Sequence, residues 1–316
     1  MVFADPSTRF TYPARDGVEI VGYRWDPAGA PRAAVQLTHG MGEHVQRYGA
    51  LACALTGRGL VVYGQDHRGH GATARSADEL GQLGPDGWTQ LVDDIDLLVS
   101  RIRDEQPGLP LVLLAHSMGS FAVQQYLLDH SDRVDAVVLT GTTALDQLEP
   151  ALDLDKPIDL AAFNAAFQPA RTEFDWLSRD EAIVDAYIAD PRCGFGIDTD
   201  AGKDMFAGAR RMADPGQVAA MRPDLPLHIA AGESDPVSAN LALLNVLVDR
   251  YRAAGLTDVT VRTYPGARHE ILNETNRDEV VASILDWIDQ VLSRPRTDGR
   301  RRRAVPARPG HARHRP

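Results

Sequence analysis

Residues Leu111 to Gly119 read LVLLAHSMG, an apolar run leading through His116 to a serine whose neighbours two places away are Ala115 and Gly119. A strand that ends in a sharp turn lifts such a serine oxygen off the sheet, and the turn leaves no room for large side chains on either flank. The usual first glycine is alanine here, and a single methyl is expected to fit. Phe121 to Leu128 then continue with helical spacing, so Ser117 stands where a strand-turn-helix elbow needs it.

Outward from that elbow, short β-branched apolar runs alternate with longer helical patterns, the signature of a mostly parallel sheet covered by helices on both faces. The expected strands are Ala33 to Leu37, Leu60 to Tyr63, Leu111 to Ala115, Val134 to Thr140, Leu227 to Ala231 and Val259 to Tyr264. Val18 to Trp25 alternates, which predicts an antiparallel edge strand. Trp88, Leu91, Val92, Ile95, Leu98, Val99 and Ile102 share one helical face ahead of Pro107. Thr275 and Asp278 stand three apart before Val280, Val281, Ile284, Leu285 and Ile288, which predicts a side-chain-capped helix closing the domain.

From about Thr142 to Arg222 the rhythm breaks. This stretch lacks β-branched runs, is rich in Ala, Asp and Pro, and holds Phe163, Phe167, Phe174, Trp176 and Phe195. It reads as an inserted helical cap. The expected organisation is an α/β core over 1–141 and 223–293, the cap over 142–222, and an Arg-rich, disordered tail over 294–316. Phe163 and Phe167, four apart beside Leu160, either line an acyl pocket or pack in the cap's own core, the commoner use of helical aromatics.

Composition narrows the classes. With 44% apolar and 24% charged residues the chain has the balance of a soluble globular protein. Cys53 and Cys193 are too few for a disulfide framework, which points to a reducing, cytoplasmic compartment. Met1 to Phe10 shows no basic segment followed by an apolar run, so no leader is expected, and no stretch approaches the roughly 18 apolar residues of a spanning helix. The net charge of -11 is uneven: nine Arg and one Asp in the tail make it +8, leaving -19 on the body. So acidic a body disfavours nucleic acid as a partner. The tail's charge suits contact with anionic lipid at about 1 kcal/mol per basic residue, though a solvated extension has the same composition.

A serine hydroxyl is a poor nucleophile at neutral pH and needs a general base, which in turn needs a partner to hold its tautomer. After an elbow serine the expected order is Ser, acid, His. Of the ten histidines, only His269, His311 and His314 lie beyond a plausible acid, and the last two sit in the tail. His269 therefore remains, in the loop YPGARHE (Tyr264 to Glu270). Asp235 is the expected acid, in the turn Gly232-Glu233-Ser234-Asp235-Pro236 at a strand's C-terminal end, with Glu233 as the alternative carboxylate. The developing oxyanion needs backbone donors, for which Met118 and, in HGMG, Met41 are expected. His39, His44, His67 and His70 lie in Gly-broken loops without metal-site spacing, and neither a phosphate loop nor a dinucleotide fingerprint is present, so no metal and no cofactor are expected.

Taken together, HGMGEHVQRY (His39 to Tyr48), YGQDHRGHG (Tyr63 to Gly71), AHSMG (Ala115 to Gly119), SRDEAIVDAYIADPRCGF (Ser178 to Phe195) and YPGARHEILNETNR (Tyr264 to Arg277) resemble the monoacylglycerol lipase and lysophospholipase family, also called the serine aminopeptidase group. The likeness spans roughly Val18 to Leu292. It implies an α/β-hydrolase fold, a helical cap over an acyl-binding tunnel, the triad Ser117, Asp235 and His269, and oxyanion amides at Met41 and Met118. It also implies a small lipid-like ester substrate and work at a membrane surface, with Glu43 and Arg47 near the substrate's polar glycerol end; a salt bridge within the loop is the alternative for that pair. A general carboxylesterase, a small-amide aminopeptidase and a non-catalytic binding module on the same fold remain open.

Overall fold

The computed structural model describes residues 6–295. Its single sheet has the order β1-β2-β4-β3-β5-β6-β7-β8, formed by β1 (Thr8–Pro13), β2 (Glu19–Trp25), β3 (Ala33–Thr38), β4 (Leu60–Gln65), β5 (Leu111–His116), β6 (Ala136–Thr140), β7 (Leu227–Gly232) and β8 (Val259–Tyr264). From β4 to β8 every pairing is parallel, whereas β1 and β2 pair antiparallel with their neighbours.

Eight α-helices accompany it among the described residues: α1 (Gly49–Gly57), α2 (Gly87–Glu105), α3 (Met118–His130), α4 (Glu181–Ala189), α5 (Thr199–Ala213), α6 (Pro215–Ala219), α7 (Ala242–Ala253) and α8 (Arg277–Ser293). Alternation along β5 shows why helices cover both faces. Leu111, Leu113 and Ala115 join a core with α2, α3 and α7, while Val112 and Leu114 join a second core with α1 and α8. Each fully buried Leu or Val contributes about 1.5–3 kcal/mol, so a strand apolar on both sides is held only between two helical layers.

Two expectations are corrected. β2 is not an edge strand: it lies between β1 and β4, and the edge is β1, whose TRFTYP is half exposed and interrupted by Arg9. The helix α8 begins after Asn276 with no side-chain cap, because Thr275 instead bonds the Glu274 carboxylate.

Between β6 and β7 the chain passes through short 3-10 turns and α4, α5 and α6 without a strand. No helix among the described residues is long and apolar enough to cross a membrane. The expected disorder of the Arg-rich tail falls, from residue 296 onward, outside the described residues.

Candidate active site

Ser117 follows β5 directly, with φ 51° and ψ -126°, in a region an L-residue enters only when its surroundings hold it there. Its N–H donates to the Thr140 carbonyl at 3.0 Å, and its own carbonyl accepts from Ser120 and Phe121 as α3 begins. Gly119 shows the cost of so tight a turn: a Cβ there would come within 2.4 Å of the His39 carbonyl and 2.5 Å of that of Thr38. Ala115, by contrast, is accommodated as a fully buried residue of β5.

The loops after β7 and β8 supply the other two groups. Nε2 of His269 lies 2.9 Å from Oγ of Ser117. Nδ1 of His269 lies 3.0 Å from both carboxylate oxygens of Asp235, which is fully buried and also accepts the Val237 N–H at 2.9 Å. The alternative acid is turned elsewhere, since Glu233 accepts from the Thr263 hydroxyl at 2.9 Å. Burial pushes the His269 pKa down, but the Asp235 carboxylate, helped by Glu270 and Glu43, outweighs it and leaves the imidazole raised above its ordinary value. The ring packs 4.8 Å from His116 and 4.9 Å from Trp176, centroid to centroid. Burial holds His116 down to about 3, so it stays neutral beside the His269 ring. Gly141, at φ 54°, leaves the space these two rings need: a Cβ would stand 2.8 Å from Cε1 of His269.

A second loop approaches from β3. The His67 N–H donates to Nε2 of His39, so Nδ1 carries the hydrogen and donates to the Gly40 carbonyl at 2.8 Å. Because the Gly40–Met41 peptide is planar, fixing its carbonyl also fixes the Met41 N–H on the opposite side. Among the described residues, neither the Met41 nor the Met118 amide has a hydrogen-bond acceptor, and both residues line the cavity beside Ser117.

That cavity is apolar, walled by Leu145, Leu148, Leu152, Ile158 and Phe163 from the insertion between β6 and β7, with Phe121 beneath. Phe163 therefore faces the cavity, while Phe167 lies under the Arg268 guanidinium at 4.5 Å. Trp176 closes the cavity against His269, and its buried Nε1 has no partner among the described residues.

Glu43 and Arg47 are not among the residues that wall this cavity. Arg47 pairs with Glu43 at 2.5 Å and, with both nitrogens, with Glu270 at 2.7 and 2.8 Å. The rings of His39, His67 and His70 cluster at 4.2–6.2 Å; burial holds His67 and His70 down to about 3 and 4, and their bonds are to backbone. The one close group of metal-ligand types among the described residues is His44, Asp190 and Cys193, where Asp190 is already shared by His44 and Arg192. Sequence reasoning passed over Glu270, Gly141 and the packing of Trp176 against the His269 ring. Only Glu270 carried a signal, as the acidic neighbour of the histidine in RHE.

A family model described as serine aminopeptidase, S33, matches residues 29–276. A monoacylglycerol lipase of Mycolicibacterium smegmatis is 33% identical over 281 residues, covering 86% of this chain and 93% of that protein. A monoglyceride lipase of Mus musculus is 28% identical, covering 88% of each. A thermostable carboxyl esterase from Bacillus coagulans, solved with glycerol, superposes with a TM-score of 0.82 at 24% identity over 92% of this chain and all of that one. The fold is that of the α/β-hydrolases.

Proposed function

The chain belongs to the serine aminopeptidase S33 family of hydrolases, and from that premise we propose that it cleaves monoacylglycerol-like lipid esters through an acyl-enzyme on Ser117. The observation that carries the proposal is the unbroken hydrogen-bonded line from Ser117 Oγ through His269 to Asp235. His269 takes the hydroxyl proton as Oγ bonds the ester carbonyl carbon; Met41 and Met118 amides hold the oxyanion. The tetrahedral intermediate expels the alcohol, which leaves with the proton from His269. Water, deprotonated by the same imidazole, then releases the fatty acid.

Residues 142–222 act in this reading as a cap that holds the acyl chain, since its leucines line the apolar cavity over Ser117. Contact with a lipid surface is assigned to the same insertion, where Ile188 on α4 is 48% exposed. Ser117→Ala tests the chemistry: turnover of a short p-nitrophenyl ester is expected to disappear with the fold intact, and undiminished turnover overturns the assignment. A panel of monoacylglycerols, lysophosphatidylcholine and aminoacyl amides tests the substrate class, with the monoacylglycerols expected to be cleaved fastest.

A further inference from the structure

We infer that Arg47 is a positioning residue: by holding Glu43 and Glu270 together, it locks the loop bearing the Met41 amide to the loop bearing His269. The inference rests on the reading of Ser117, His269 and Met41 given above and concerns how their mutual geometry is kept.

Each link is a named hydrogen bond. Glu43 Oε1 accepts the Gly40 N–H at 2.6 Å, one residue before Met41, and the Tyr48 hydroxyl at 2.8 Å. Its other oxygen accepts from Arg47 Nη1. The guanidinium then reaches both oxygens of Glu270, the residue after His269, and Asn273 donates to Glu270 Oε2 at 2.9 Å. The chain from oxyanion donor to general base is thus Met41, Gly40, Glu43, Arg47, Glu270, His269, joining parts of the sequence 223 residues apart at Arg47 and Glu270. Tyr187 adds a third tie, with its ring 4.8 Å from the Arg47 guanidinium and its hydroxyl donating to the Gly42 carbonyl at 2.8 Å.

All three charges are withdrawn from water, with side-chain exposures of 12% for Arg47, 3% for Glu43 and 4% for Glu270. Every carboxylate oxygen has a donor, and none of the three residues lines the cavity beside Ser117. A group recruited to bind a glycerol end would instead offer free polar atoms to that cavity. Two carboxylates around one guanidinium leave a buried net charge of one negative unit, and the burden is unequal. Glu270, gripped by both Arg47 nitrogens, is held below the usual carboxylate range, whereas burial pushes Glu43 up. Buried ion pairs add little net stability over apolar packing but impose strict geometry, and catalysis pays about 100-fold for a misplacement of about 1 Å.

The experiment compares Glu43→Gln and Arg47→Lys with wild type on p-nitrophenyl butyrate, which has no glycerol end, and on a monoacylglycerol. Glu43→Gln keeps an oxygen for the Gly40 N–H but removes one of the charges facing His269, the others being Asp235 and Glu270, with neutral His116 alongside. The expected result is a fall in kcat of about 10-fold or more, by the same factor for both substrates, with KM changed less than about 2-fold. The acid limb of the Glu43→Gln pH profile moves to lower pH, which a loss of folding alone does not produce. Arg47→Lys, whose ammonium cannot form the two-pronged pairing, lowers kcat for both substrates without that loss of negative charge. A rise in KM confined to the monoacylglycerol, or an unchanged kcat in both variants, overturns the inference. Should Glu43→Gln fail to fold, Glu270→Gln supplies the same two readouts. Fluorophosphonate labelling of wild-type Ser117 separately tests the parent reading, so the two failures are distinguishable.

Discussion

Nε2 of His269 sits 2.9 Å from Oγ of Ser117 although 152 residues separate them. The parallel sheet closes that distance, because the turns after β5, β7 and β8 all emerge at the same edge. In the proposed role of general base the imidazole works only when neutral, which fixes how activity should respond to acid.

Because His269 is raised above its ordinary value of about 6.5 by the Asp235 carboxylate, it gains its proton at a higher pH than an isolated histidine. The protonated ring cannot accept from Ser117, so kcat/KM falls as pH drops through that raised pKa. Asp235→Asn removes the carboxylate, so the acid limb should move to lower pH. It also leaves the wrong hydrogen facing Nδ1, and kcat should fall by about 10,000-fold, as in serine proteases with the same change. A limb that stays in place in a pH-rate series contradicts this account.

Gly119→Ala should destabilise the protein while Ala115→Gly should not stop catalysis. The added methyl at 119 meets backbone carbonyls of Thr38 and His39, which cannot swing aside as a side chain could. Overpacking of this kind costs about 1–3 kcal/mol, and a lowered Tm with a loss of kcat is expected. At 115 the reverse change removes a methyl from β5 and costs about 0.5–1 kcal/mol, with kcat near wild type. Thermal melts and ester assays on the two variants read both outcomes.

The elbow was legible because LVLLAHSMG states both the strand and the steric rule at its end. Asp235 and His269 were legible by order and by their places after strands. Glu233 lay close enough in sequence to compete, and only the turn geometry, which sends it to Thr263, separates the two. β1 escaped notice because a half-exposed edge strand needs only weak apolar alternation, and TRFTYP offers little. The brace through Arg47 was illegible for another reason: side-chain pairing across 223 residues leaves no periodic trace, so a charged loop residue reads the same whether it binds ligand or neighbour.

Leu148→Trp should shorten the preferred acyl chain. Leu148 comes from the insertion and lines the apolar cavity beside Ser117, so a larger ring there fills space a long chain would use. Hydrolysis of an acetyl ester is expected to stay near wild type while that of a dodecanoyl ester falls about 10-fold or more, the usual scale of apolar-pocket discrimination. An unchanged chain-length profile would place the acyl chain elsewhere.

The central claim is that Ser117 is the nucleophile, and the most direct measurement is peptide mapping by mass spectrometry after reaction with a fluorophosphonate. The account predicts a single adduct on the peptide containing Ser117, formed in step with loss of esterase activity and absent from Ser117→Ala. Labelling of another residue, or full inactivation with Ser117 unmodified, would contradict it.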